Sequence, residues 1–189
     1  MNYTEKYELW LNSDVIDENT KKELRNLNDN KEIEDRFYKD LEFGTGGLRG
    51  VIGAGTNRMN IYTVSKATQG LASYLLENYK KDINVSIAYD SRIKSTDFAK
   101  TAACVLCANG IKVNLFESLR PTPMLSYTVR YLKSKAGIVI TASHNPKIYN
   151  GYKVYGEDGG QVTDKAAGEI YNSIEKLKSL NDVKKMGFE

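Results

Sequence analysis

The sequence predicts an α/β fold: a three-layer α/β/α sandwich on a mostly parallel, mixed sheet. Three observations carry this. Short apolar runs at Val85–Tyr89, Ile111–Phe116 and Ala136–Ile140 have the length of buried strands. Segments with helical apolar spacing lie between them, as at positions 61, 64, 67, 71, 74 and 75. Alternation of this kind buries a parallel sheet beneath helices on both faces. The expected order is strand, helix, strand, helix, strand, helix, strand, hairpin strand, helix.

Residues 1–40 are rich in Glu, Lys, Asn and Asp, with Leu9, Trp10, Leu11, Leu24, Leu27, Ile33 and Phe37 as apolar anchors. Two or three short helices packed outside the domain fit this pattern. A break falls near Asn26–Asn30, and Asp14–Asn19 reads as a turn and helix start. The run Phe43–Gly53 holds four glycines in seven residues. Such a run frees the backbone for positive φ and for close approach to a ligand. It is no P-loop, because no Gly-Lys-Ser/Thr follows, and Arg49 stands where a dinucleotide fingerprint needs its last glycine. The arginine adds a planar donor fork suited to phosphate.

Ile61–Tyr79 has one apolar face and Asn60 ahead of it as N-cap, so it reads as a helix. Asn84–Tyr89 is a strand ending at Asp90-Ser91-Arg92; Arg92 either supports neighbouring loops or makes a surface salt bridge. Ser95 is the expected cap of a helix over Thr96–Asn109, with Asp97 in its first turn and Gly110 as its stop. After the strand Ile111–Phe116, Arg120-Pro121-Thr122-Pro123 opens a helix near Met124–Leu132, proline being suited to helix starts. Thr163 caps a last helix whose apolar face is Ala167, Ile170, Ile174 and Leu177.

The stretch best suited to chemistry follows the strand Ala136–Ile140: Thr141-Ala142-Ser143-His144-Asn145-Pro146. The strand must end near Pro146, which cannot donate to a ladder and biases Asn145 toward extended backbone. Ser143 therefore sits where a central strand gives way to a loop. In open α/β sheets ligands collect outside such carboxyl ends. The chain's single histidine, His144, follows the serine. Asn150-Gly151 reads as a tight turn that returns a second short strand carrying Lys153. Taken alone, a serine in such a loop more often satisfies a turn than performs chemistry. Neither a GxSxG elbow nor an Asp/His order marks a serine hydrolase.

Hydrophobic residues at 41% and charged residues at 27% fit a soluble globular domain. A length of 189 residues suffices for one sizeable core. The net charge of +3 is too small to argue for nucleic acid, but it is uneven: residues 1–42 hold 12 acidic and 7 basic side chains, residues 43–189 hold 12 and 20. A basic body suits an anionic small ligand, beside the commoner role of a solvated lysine surface. No apolar stretch approaches a membrane span of about 20 residues, and the amino terminus lacks the plan of a secretory signal. No membrane partner and a cytoplasmic location are expected. Cys104 and Cys107 form a CxxC without a second pair or a nearby histidine, so both are expected as small buried hydrophobes on a helix face.

TASHNP at 141–146, followed by Tyr149-Asn150-Gly151-Tyr152-Lys153, closely resembles the phosphoserine loop of the α-D-phosphohexomutases, the phosphoglucomutase/phosphomannomutase superfamily. Six consecutive residues with a matching NGxK downstream make a specific signal. FGTGGLRG resembles the family's first active-site segment and places its arginine at Arg49. Asp90-Ser91-Arg92 corresponds to the family's D-x-R turn. The resemblance covers residues 40–180. Residues 1–40 resemble the extension of the phosphoglucomutase- and phosphopentomutase-like branch.

The resemblance implies an isomerase in which Ser143 carries a phosphate and exchanges it with a hexose phosphate. The reaction would interconvert hexose 1-phosphate and hexose 6-phosphate, glucose first and mannose second, through a hexose bisphosphate. It implies catalytic roles for Ser143, His144, Lys153 and Arg49. Arg49 stabilises phosphate, and the general acid/base role stays open between Lys153 and His144. Phosphate and substrate contacts fall on Arg49, Thr141, Asn145 and Lys153. One Mg²⁺ would meet this chain through the Ser143 phosphate. Its other ligands would lie on a DxDxD loop of the second domain, and no such aspartate spacing exists here. The expected plan is a helical extension over 1–40 and the first, phosphoserine domain over 41–189, with domains II–IV outside this chain. The fragment alone is expected to be inactive; its partners are the sugar phosphates and the remaining domains of the same enzyme. A phosphopentomutase of the same superfamily and a stand-alone, non-catalytic phosphosugar-binding module are the alternatives. A reading frame continuing past Glu189 into a DxDxD motif would separate the last from the others.

Overall fold

The computed structural model describes residues 1–188. Among these residues the strands are β1 (Gly47–Val51), β2 (Asn84–Tyr89), β3 (Lys112–Leu115), β4 (Ala136–Ile140) and β5 (Tyr149–Gly156). The α-helices are α1 (Tyr3–Asn12), α2 (Glu18–Arg25), α3 (Asn30–Phe37), α4 (Ile61–Asn78), α5 (Ser95–Ala108), α6 (Thr122–Tyr131) and α7 (Asp164–Glu175). From β1 onward, strands and helices alternate in the expected order, as an α/β fold.

The strands form one sheet in the order β1-β5-β4-β2-β3. β2 pairs parallel with β3 and with β4, whereas β5 pairs antiparallel with β4 and with β1. Four strands therefore share a direction and β5 alone opposes them. Its reversal follows from its connection: only residues 141–148 separate it from β4, too few for the crossover that a parallel neighbour needs.

The sheet is covered on both faces. Val85, Ile87, Ile138, Ile140, Tyr152 and Leu48 point into the main core with α4, α5 and α7. Alternate residues point the other way, where Ala88 and Val139 meet Leu125 and Val129 of α6. This alternation is the two-residue period of a strand, and β4 is buried at every position. At Gly70 of α4 an added Cβ would stand 2.3 Å from Ile174 Cγ1, so glycine lets α7 lie close against α4. No helix among the described residues is long and apolar enough to cross a membrane.

Three sequence expectations change. Asn150-Gly151 is not a turn: both residues lie within β5, opposite Gly50 and Arg49 of β1. The chain reverses earlier, through Ser143–Ile148. The Asn150 side chain is fully buried and donates to Ile93 O at 2.9 Å and Ser95 Oγ at 3.0 Å. Ser95 is the first helical residue of α5 rather than its cap. That position belongs to Lys94, at φ 68° and without a side-chain cap bond, because the Ser95 hydroxyl donates to Asp90 Oδ1 at 2.7 Å instead. Of the two cysteines, Cys104 is buried but Cys107 is exposed, since α5 turns part of that segment outward.

The N-terminal helices enclose a small core of their own. Trp10 packs edge-on against Phe37 at 5.6 Å and Tyr62 at 5.3 Å, with Ile16 and Leu24 buried beside them. The Tyr62 hydroxyl, on α4, donates to Asp17 Oδ2 at 2.6 Å; burial and then this carboxylate push its pKa up to about 12. Asp17 itself caps α2.

Asp40 holds α1 to α4, with Lys6 Nζ at 2.8 Å and Lys66 Nζ at 3.0 Å. Burial tends to raise the Asp40 pKa, but the two lysines outweigh it and hold the group below its ordinary 3.8. The sign follows: a depressed carboxylate contributes stability in full above its unfolded value, and that contribution disappears as pH falls from 3.8 through the lower folded value. Asp40 is 49% exposed, so solvent screening limits the contribution to about 1 kcal/mol or less. Asp40→Asn therefore lowers the melting of the N-terminal helices at pH 7, and the gap to the unaltered protein closes below pH 3.8. Fluorescence of Trp10, the chain's single tryptophan, reads this directly. A gap that is constant with pH would contradict the assignment.

Candidate active site

The carboxyl ends of β4 and β2 and the first residue of β5 meet at one end of the sheet. Register sets which side chains share a face there. Leu48 pairs with Tyr152, and both point into the main core. Their neighbours Arg49, Gly151 and Lys153 must therefore point to the opposite face, where Val139 pairs with Lys153. Thr141 continues β4 on that face, its N–H donating to Gly151 O at 3.0 Å. Arg49, Gly151 and Thr141 thus form a row across the sheet. Lys153 stands diagonal to Arg49, a relation within reach of long side chains.

Glycine is required in that row. A Cβ at Gly151 would lie 2.5 Å from Thr141 O and 3.0 Å from Leu48 O. One at Gly47 would lie 2.0 Å from Tyr152 O. Much of the glycine-rich run therefore forms a tightly paired edge strand, not a loop wrapped round a ligand. Within residues 44–50 only Gly46 has positive φ, at 113°.

Ser143 lies just past the end of β4 with its side chain exposed. Its φ is 55°, in the left-handed region that a serine occupies at a cost of about 1–3 kcal/mol. Local bonds hold it there. Ser143 N–H donates to Thr141 Oγ1 at 3.0 Å, and Asn145 Nδ2 donates to Ala142 O at 2.9 Å. Thr141 and Asn145, expected as phosphate contacts, thus direct these polar atoms to the loop's own backbone. The Ser143 Oγ stands 3.4 Å from His144 Nδ1. His144 is exposed and Lys153 half-buried.

Arg49 and Lys153 have no carboxylate partner among the described residues. Two unpaired cations on one face create a field that favours an anion. An exposed hydroxyl, an imidazole and two cations near one end of the sheet are groups suited to binding and moving a phosphoryl group.

Four further residues organise the site, two of which, Ser95 and Asn150, the sequence reading placed in a helix cap and a turn and not in the site. Asp90 Oδ1 accepts from Arg92 N–H at 2.9 Å and from the Ser95 hydroxyl. Ser95 accepts from Asn150, and the guanidinium of Arg92 reaches across to the Ser143 loop. Arg92 is therefore a loop support; its ion pair with Asp90, 3.5 Å at Nε, is secondary. The sequence signal was the Asp-x-Arg spacing after a strand. Nothing in it announced that Ser95 and Asn150, far apart in the chain, would share a hydrogen bond.

Comparisons with known proteins agree with this architecture. Residues 40–181 match the family model for phosphoglucomutase/phosphomannomutase, alpha/beta/alpha domain I. A phosphoglucomutase of Staphylococcus epidermidis is 45% identical over 164 residues, which is 87% of this chain and 30% of that protein. A mouse phosphopentomutase is 42% identical over 154 residues, covering 77% of this chain and 25% of that protein. The crystal structure of a Thermus thermophilus protein assigned as a phosphomannomutase superposes with a TM-score of 0.69 at 30% identity, covering 78% of this chain and 32% of that one. The chain thus spans about a third or less of the length of these relatives. It belongs to the phosphoglucomutase/phosphomannomutase family, as an α/β/α domain I of that family.

Proposed function

We propose that this chain is the phosphoserine-bearing domain of a phosphohexomutase, with a helical extension over residues 1–40 and the catalytic domain over 41–189. The observation that carries the reading is Ser143, exposed and left-handed at the end of β4, beside a sheet face bearing the cations Arg49 and Lys153, which have no carboxylate partner among the described residues. In the proposed reaction a sugar hydroxyl attacks the phosphorus carried by Ser143. The new sugar P–O bond forms, the P–Oγ bond breaks, and Oγ regains the proton that the hydroxyl loses. The bisphosphate turns over, and the Ser143 hydroxyl takes the other phosphate by the reverse steps. Arg49 stabilises charge on the phosphoryl group, while Lys153 or His144 carries the proton. Arg49, Thr141, Asn145 and Lys153 make the phosphate and substrate contacts, and Thr141 and Asn145 in addition bond the loop backbone that presents Oγ.

A phosphate on Ser143 would offer oxygens to a hard cation such as Mg²⁺. Among the described residues no group of three His, Cys, Asp or Glu side chains could complete that site, so we assign its other ligands to the remaining domains of the whole protein. When bound, the ion neutralises charge on the transferring group. Glucose phosphates are the first substrate assignment, because several phosphoglucomutases of staphylococci are 39–45% identical to this chain. The identity to the mouse phosphopentomutase favours a pentose phosphate as the second reading. A cytoplasmic location fits phosphorylated sugar substrates.

Label transfer tests the function. Incubating the intact protein with ³²P-labelled glucose 1,6-bisphosphate should place label on Ser143, located by mass spectrometry of the peptide, and glucose 1-phosphate should chase it off. Label on another residue, or none, would remove the assignment.

A further inference from the structure

We propose that Arg92 is the positioning residue for Ser143: it fixes the backbone of the 143–149 loop so that the serine hydroxyl faces its partner group. The proposal rests on the reading of Ser143 as the phosphate carrier. Its basis is a four-carbonyl clamp. One terminal nitrogen of Arg92 donates to Ser143 O at 2.5 Å and Asn145 O at 2.7 Å. The other donates to Pro146 O and Tyr149 O, both at 3.1 Å. A guanidinium carries five N–H donors in one rigid plane; here the terminal ones converge on a single loop, and Nε faces Asp90.

The loop's other restraints lie at its two ends. Near Ser143 they are Ser143 N–H to Thr141 Oγ1, and Asn145 N–H and Nδ2 to Ala142 O; near β5 they are Tyr149 N–H to Pro146 O at 2.9 Å and Ile52 N–H to Ile148 O at 2.8 Å. Arg92 alone grips both ends. Arg92 is itself held. Its N–H bonds to Asp90 Oδ1, the Asp90 N–H bonds to Ile140 O at 3.1 Å, and Ser95 links Asp90 to the buried Asn150 of β5. The clamp therefore refers the loop to β2, β4 and β5 together. Grip on the Ser143 carbonyl fixes the peptide plane between Ser143 and His144, so one contact sets the direction of both side chains. It also opposes relaxation of Ser143 out of its left-handed φ of 55°. Lysine could not substitute, because an ammonium offers three donors on a point and no planar fork.

The test uses the intact protein with Arg92→Lys and Arg92→Ala, and Ser143→Ala alongside. Amide hydrogen exchange at residues 143–148 should quicken by about tenfold or more, as expected for local opening, while the β2–β4 ladder keeps its protection. The kcat on glucose 1-phosphate should fall about 10- to 100-fold with KM altered less than about threefold, the signature of misplacement and not of lost binding. Methylguanidinium should restore part of the rate to Arg92→Ala, and methylammonium should not. Unchanged loop exchange with kcat retained in Arg92→Lys, while Ser143→Ala is inactive, overturns the positioning role alone. Loss of β2–β4 protection in step with activity, in both Arg92 variants, also overturns it, because the role would then be structural. Activity surviving Ser143→Ala overturns both this proposal and the phosphate-carrier reading beneath it.

Discussion

Replacing Ser143 with alanine in the intact protein should reduce mutase turnover by about four orders of magnitude or more, the scale on which loss of a covalent nucleophile is felt. The hydroxyl is the atom that forms and breaks the bond to phosphorus, and no neighbour can take its place. His144 is adjacent, but its Nδ1 stands 3.4 Å from the serine oxygen, so it occupies a different position. The loss should not come from unfolding. Ser143 is exposed, the Oγ contact with His144 is long, and alanine carries the same left-handed backbone penalty as serine. A change in stability within about 0.5 kcal/mol is expected, as for other exposed positions. Ser143→Gly extends the argument. Glycine relieves the strained φ, so this variant should be inactive yet more stable, by about 0.5–1 kcal/mol. A coupled mutase assay and thermal melts of the same preparations decide the matter. Turnover within tenfold of the unaltered protein, for either variant, would leave the serine without its role.

The sequence was legible where local pattern and tertiary demand coincide. Asn60 ahead of an amphipathic run caps α4, with its Oδ1 accepting from Tyr62 and Thr63 N–H. Thr163 caps α7, and Gly110 stops α5 at φ 75°. The apolar run at 136–140 became a central strand, and Ser143 fell at its carboxyl end. It was misread where a residue serves a distant partner. Asn-Gly is the strongest short hairpin signal, yet Asn150 is buried in β5 because its amide bridges Ile93 and Ser95. Ser95 looks like a cap until Asp90 claims its hydroxyl. The glycines of 44–50 suggest a ligand loop, and only the register with β5 reveals that Gly47 makes room for a strand. In each case a local rule lost to a partner outside the local pattern, five residues away for Ser95 and far along the chain for Asn150 and Gly47, and two of the three losses lie within the network that holds the Ser143 loop. That is the expected place for local rules to fail, since functional sites are where competing demands concentrate.

Replacing Lys153 with methionine should cut kcat by about 10²- to 10⁴-fold, the range of general acid–base and electrostatic contributions. KM should change by no more than about tenfold if the ammonium acts mainly on the transition state. The geometry gives the reason for choosing this residue. Lys153 is held in β5 between Val139 and Gly47, opposite a glycine that leaves its stem uncrowded. It shares a face with Arg49 and with Thr141, two residues before Ser143, and no carboxylate among the described residues neutralises it. Methionine keeps the length and the apolar stem while removing charge and donors. It also removes the repulsion between two neighbouring cations, so the variant should melt at or slightly above the temperature of the unaltered protein. Function and stability then move in opposite directions, which a residue kept for packing cannot produce. His144→Ala completes the comparison. If Lys153 carries the proton, the histidine variant keeps more of its rate than Lys153→Met; if the order is reversed, the proton belongs to His144 and Lys153 retains only phosphate stabilisation. A Lys153→Met enzyme that turns over normally would show that the lysine faces solvent and takes no part in the reaction.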